Sequence, residues 1–104
     1  MVLNGHDHVY ARFAPMDPLG NADPRHGMRE FVIETGGEGL DTVVPSTPNL
    51  QAWADQYYDT MKLTLSPGSY RWDYASALES PTAPTGAPAS YSDAGSASCH
   101  SGVD

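Results

Sequence analysis

Two histidines separated by a single residue, His6 and His8, are the side chains in this chain whose type and spacing point most directly to chemistry. If the backbone is extended there, both imidazoles leave on the same side, because side-chain direction alternates with period two in a strand. Gly5 stands immediately before them, where a strand ending at Val2-Leu3 must turn to present them. Imidazole is the commonest metal-ligating side chain, so two of them aimed at one spot begin a site for zinc, iron or manganese. The same spacing also fits a solvated pair with no ligand, and the residues alone leave both readings open.

Other candidates have simpler explanations. Asp17, Asn21 and Asp23 offer oxygens, but without the Asp-x-Asp-x-Asp-Gly order of a calcium loop, and turn chemistry accounts for them. Gly36-Gly37-Glu38-Gly39 lacks the Lys-Ser/Thr ending of a phosphate cradle and fits a strand-terminating turn. Ser46, Ser66 and Ser69 have no nucleophile signature around them. His26 lies in a turn and His100 near a tail, while nothing local fixes Glu34 against Glu38 as a carboxylate pair. Cys99 is the single cysteine, so no internal disulfide is available.

The elements that must position His6 and His8 belong to a small, acidic, β-rich body. With 104 residues there is room for one domain. Asp and Glu outnumber Lys and Arg 13 to 5, for a net charge of -8, and no two basic residues are adjacent. A phosphate-backbone binder needs clustered cations, so nucleic acid is excluded as a partner. No apolar run approaches the ~18 residues that would span a bilayer, so no membrane partner is expected, and the first residues do not make a signal peptide.

Val2-Leu3 fits the end of a buried strand, residues 9–13 a short extended piece, and 17–27 a turn region with two Asp-Pro pairs. Met28 to Thr35 predicts a strand stopped by Gly36-Gly37. Its consecutive Phe31, Val32 and Ile33 imply burial on both faces. After Pro48-Asn49, the spacing of Leu50, Trp53, Ala54 and Tyr57 predicts a short helix.

Between Thr60 and Ala75 the pattern predicts a hairpin. Ser66-Pro67-Gly68-Ser69 suits a type II turn. Folding back there sets Leu65 opposite Tyr70, Leu63 opposite Trp72 and Met61 opposite Tyr74 on one apolar face. Lys62 opposes Asp73, and Thr64 opposes Arg71, on the other. Residues 80–90 contain only Ser, Pro, Thr, Ala and Gly, the composition of a linker, and 91–104 is expected as a tail or one edge strand.

Leu3-Asn4-Gly5-His6-Asp7-His8-Val9-Tyr10 resembles the last metal-binding block of the calcineurin-like metallophosphoesterases, Gly-His-x-His. Arg12-Phe13-Ala14-Pro15, the turn from Asp17 to Pro24 and Arg29-Glu30-Phe31-Val32 look like the bacterial secreted members related to purple acid phosphatases. Thr35-Gly36-Gly37, Met61-Lys62-Leu63-Thr64-Leu65 and Ser98-Cys99-His100 extend the likeness. It is weakest over 40–56 and 80–90, and Ala11 stands where members usually have Glu.

The resemblance implies an α/β fold, a sandwich of two β-sheets flanked by helices, of which residues 1–79 would be a mostly β C-terminal portion. It implies two divalent or trivalent metal ions (iron, zinc or manganese), with His6 and His8 as ligands, one to each. Phosphate esters would be the substrate, hydrolysed by a metal-bound hydroxide, and the location would be secreted or periplasmic. The family's other metal blocks lie upstream of Gly-His-x-His, whereas only residues 1–4 precede Gly5 here. Ligand counting agrees, since a catalytic zinc wants about three protein ligands and a two-metal site wants more. The expectation is therefore the C-terminal part of a phosphoesterase, inactive alone, with the missing N-terminal part as its partner. The alternative is a small β-rich extracellular binding module with an incidental His-x-His metal site.

Overall fold

The computed structural model describes residues 1–36, 39–79 and 91–100. Seven strands run in order: β1 (Val2–Asn4), β2 (Tyr10–Phe13), β3 (Glu30–Ile33), β4 (Leu50–Ala54), β5 (Tyr57–Ser66), β6 (Ser69–Glu79) and β7 (Ser92–Ser98). They form two sheets, one in the order β1-β3-β2-β4 and the other β5-β6-β7. The chain is mostly β. No helix occurs among the described residues, and so none there is long and apolar enough to cross a membrane. The composition that predicts the linker at 80–90, and the tail residues 101–104, lie outside the described residues.

β3 is buried on both faces, as its run of apolar residues predicts. Phe31 is fully buried with Tyr10, Ala54 and the aromatic side chains of the second sheet. Its neighbour Val32 faces the other way, into a smaller cluster with Val9, Ala11, Phe13 and Leu50.

The segment from Leu50 is a strand, which overturns the predicted helix. β4 pairs antiparallel with β2, setting Tyr10 against Ala54 and Arg12 against Ala52. Asn49 has φ 66, a left-handed turn residue, and its carbonyl accepts from the Ala14 N–H at 2.8 Å. A helix of two turns is marginal on its own, whereas β2 offers a whole row of backbone partners. A register shift between Arg12 and Phe13 then returns Leu50 to the smaller cluster, so spacing that suits a helix face serves two faces of a sheet.

The hairpin has the register the sequence predicts, with Leu63 against Trp72, Met61 against Tyr74, and Lys62 against Asp73. Trp72 and Tyr74 are buried against the first sheet, with Met61 and Leu63 packed beside them. The turn type differs from expectation. Gly68 does not adopt the left-handed φ that a type II turn demands. The tip also overhangs the first sheet, which leaves Leu65 68% exposed.

β7 returns antiparallel along β6 as an edge strand, the second of the two fates open to residues 91–99. Its Asp93 joins the two sheets. Arg12 Nε on β2 donates to Asp93 Oδ2 at 2.8 Å and Nη2 to Oδ1 at 3.3 Å, while the Tyr10 hydroxyl donates to Oδ2 at 2.5 Å. The Tyr10 ring stacks on Tyr74 with centroids 3.7 Å apart, and the guanidiniums of Arg12 and Arg29 lie 5.3 and 5.1 Å from the Trp72 ring centre. Burial works against the Asp93 charge, but the hydrogen bonds from Arg12 and Tyr10 outweigh it and hold the carboxyl below its ordinary range.

A depressed native pKa contributes stability that is present above the unfolded value of ~3.9 and lost as the pH falls through the native one. Asp93→Asn is therefore expected to cost about 2 kcal/mol at neutral pH, less than the loss at a fully buried pair. The deficit relative to wild type should shrink on acidification. Urea unfolding of both proteins across pH measures it.

Candidate functional site

The His6–His8 loop leaves the end of β1 and turns back into β2. Residues 6–9 form a bend, and His6 has φ 83, a left-handed conformation that costs a non-glycine residue about 1–2 kcal/mol. The extended backbone on which the same-side argument rests is thus absent, and period-two alternation does not orient these two side chains. Gly5 matters, but not as the point where the chain turns. A Cβ there would stand 2.8 Å from Glu34 Oε2 and 3.2 Å from its Cδ, so glycine leaves space for that carboxylate.

Glu34, just past the end of β3, accepts the backbone N–H of His6 on its Oε2. Its Oε1 lies 3.9 Å from His8 Nε2. Asp41 clamps His8 from the other side. Its carboxylate accepts the His8 N–H at 2.9 Å, and its own N–H donates to the His8 carbonyl at 3.1 Å. Parallel pairing of β1 with β3, Val2 against Glu30 through Asn4 against Val32, brings the two strand ends side by side.

His8 Nδ1 lies 2.6 Å from the Gly39 carbonyl oxygen. A carbonyl can only accept, so Nδ1 carries a proton, and in the neutral imidazole the lone pair is on Nε2. Imidazoles that ligate metals through Nε2 are commonly held in this tautomer by an Nδ1–H to a carbonyl or carboxylate. His8 is half-buried and His6 exposed. The donor chemistry, imidazole nitrogen beside a carboxylate, suits zinc, iron or manganese. Among the described residues no group of three His, Cys, Asp or Glu is placed to hold a metal ion, so the loop supplies part of a coordination shell and not a whole one.

No protein-family model matches this chain, and no curated protein and no solved structure matches it. The reading of the site therefore stands on its own residues.

Sequence reasoning missed Asp41, and it weighed Glu34 only as a carboxylate pair with Glu38 that nothing local fixes, not as a partner of the histidine loop. Glu38 lies outside the described residues. The contacts of Glu34 and Asp41 with the loop span 28 and 33 residues, too far for any local pattern to signal. The Asp17 region behaves as expected, its carboxylate accepting the N–H groups of Leu19 and Asn21, both at 2.9 Å. His26, Cys99 and His100 line a cavity of about 710 Å³ between the turn region and the end of β7.

Proposed function

We propose that this chain contributes the His6 and His8 ligands of a dinuclear phosphoesterase centre whose remaining ligands come from further polypeptide. The observation that carries the reading is the contact of His8 Nδ1 with the Gly39 carbonyl, which in the neutral imidazole puts the lone pair on Nε2, where a metal would be met. The left-handed His6 supports it, because a strained non-glycine backbone persists where its surroundings hold it, and such places cluster at functional sites.

When bound, divalent ions supply Lewis-acid activation of water and neutralise phosphate charge. The chain's own residues do the positioning. Glu34 ties the His6 backbone, and Asp41 grips His8 from both sides of its peptide group. The position of the loop at the ends of two parallel strands supports the same reading, since parallel sheets gather functional loops at their strand ends.

The test begins with the coding sequence upstream of Met1. The reading expects an in-frame region carrying the other metal blocks of the metallophosphoesterases, and a longer product that hydrolyses an aryl phosphate with added metal. In that product His8→Ala should lower kcat/KM by about a thousandfold or more, the equivalent of several kcal/mol of lost metal-ion stabilisation. The 104-residue chain alone should not exceed a blank of buffer and metal. Metal-dependent turnover that survives His6→Ala together with His8→Ala would refute the assignment.

A further inference from the structure

Asp59 is a buried carboxylate to which the described residues bring no answering cation. It is 9% exposed, and the Tyr74 hydroxyl is the one described side chain that acts on it, too poorly aligned to make a full hydrogen bond to either carboxylate oxygen. Its backbone is fixed, with the N–H donating to the Thr35 carbonyl at 3.0 Å. The better-placed partner of that hydroxyl is Thr35 Oγ1, at 3.2 Å. Burial pushes the Asp59 carboxyl above its ordinary range.

Unpaired buried charge costs several kcal/mol, and sequences rarely keep it without a partner. Asp59 lines a cavity of about 410 Å³ whose other walls are aliphatic at Leu3, Ile33, Met61 and Leu63 and polar at Glu34, Thr35 and Thr60. Leu3 is 50% exposed on β1, an edge strand paired on one side only.

We propose that this cavity is a subsite for an organic cation, a primary ammonium or guanidinium borne on an apolar stem. Three features select that class. The anionic oxygens sit at a depth that calls for a single positive charge. Four of the lining side chains are aliphatic and would cover methylenes, whereas a hydrated metal ion would surrender water there for only two carboxylates, Asp59 and Glu34. The lining also includes Leu3 of the edge strand β1, so the cation can arrive either as a small amine or as a Lys or Arg side chain of a polypeptide laid along that edge. The subsite shares the wall residue Glu34 with the histidine loop but uses neither His6 nor His8, and its test at Asp59 is separate from the phosphoesterase reading.

The experiment is a heteronuclear NMR titration of the full chain with n-butylammonium, with n-butylguanidinium, with n-butanol as the uncharged control, and with the capped peptide acetyl-Val-Lys-Val-amide. Saturable shifts at Leu3, Thr35, Asp59, Met61 and Leu63 are expected for the cations and not for butanol. Binding should be at least tenfold weaker in Asp59→Asn. Leu3→Lys should place an ammonium at the mouth of the cavity and block the added cations. It provides the same test if the asparagine variant does not fold.

A peptide that binds tenfold tighter than the free amines identifies a polypeptide as the source of the cation, and equal affinity identifies a small amine. Butanol shifts equal to those of butylammonium would overturn the proposal. Retained binding in Asp59→Asn, or saturable binding of manganese at Asp59 with none by the amines, would do the same.

Discussion

Gly95→Val should lower the melting temperature by on the order of 15 °C, one of the largest effects expected from a single substitution outside the histidine loop. Gly95 on β7 lies directly across from Trp72 on β6. A Cβ at that position would stand 2.4 Å from the Trp72 ring, with two more ring atoms at 2.9 Å. The ring cannot step aside. It packs edge-on to Phe31 with centroids 5.3 Å apart, tilts against Tyr70, and is covered by the guanidiniums of Arg12 and Arg29.

Overpacking a closed core costs about 1–3 kcal/mol and sometimes more, and a chain of this size has only about 5–15 kcal/mol in all. Ala94→Val is the control, since Ala94 faces outward on the same strand and valine suits strands. It should leave the melting temperature unchanged or slightly higher. Calorimetry with near-ultraviolet circular dichroism reads both outcomes. If Gly95→Val melted with the wild type, β7 would not be seated over Trp72.

Gly95 also marks where local reading of the sequence stops. The β5–β6 hairpin was legible because its information is local: a Pro-Gly turn, alternating side chains, and opposed residues a few positions apart. The turn type was misjudged without moving the register, since Pro67 suits more than one turn geometry. Residues 91–99 hold no comparable signal. The small inward residues Gly95 and Ala97 make sense only once Trp72 and Tyr70 are known to lie opposite them. The Arg12–Asp93 tie spans 81 residues and has no local trace.

Residues 50–57 were misread for a related reason. Their spacing satisfies a helical face, and only the open edge of β2 decides otherwise. At the candidate site, His6, His8 and Gly5 were legible as types, but their geometry was not. The extended backbone was an assumption about φ, and His6 breaks it. What holds the loop comes from Glu34 and Asp41, each supplied by a different crossing of the chain.

Zinc affinity of the 104-residue chain should fall by about tenfold in Gly5→Ala and to the level of a non-specific blank in His8→Ala. The two substitutions separate positioning from ligation. An added Cβ at Gly5 meets the end of a flexible side chain, so Glu34 moves and the backbone does not. Once displaced, that carboxylate no longer accepts the His6 N–H, and the left-handed residue loses what holds it. The core is untouched, because Gly5, His6 and Asp7 are all exposed. Thermal stability should therefore change by less than about 1 kcal/mol, as for other surface substitutions.

His6→Gly gives a third, opposite signature. Glycine adopts the left-handed region without strain, so stability should hold or rise while the imidazole, and with it the affinity, is lost. Acidification should weaken zinc binding in the wild type, because protons compete for the same imidazole lone pairs. Competition against a zinc-binding chromophore measures all four proteins under one set of conditions. Wild-type affinity in Gly5→Ala would show that Glu34 does not position the loop, and wild-type affinity in His8→Ala would show that the nitrogen presented by the Gly39 contact is not a ligand.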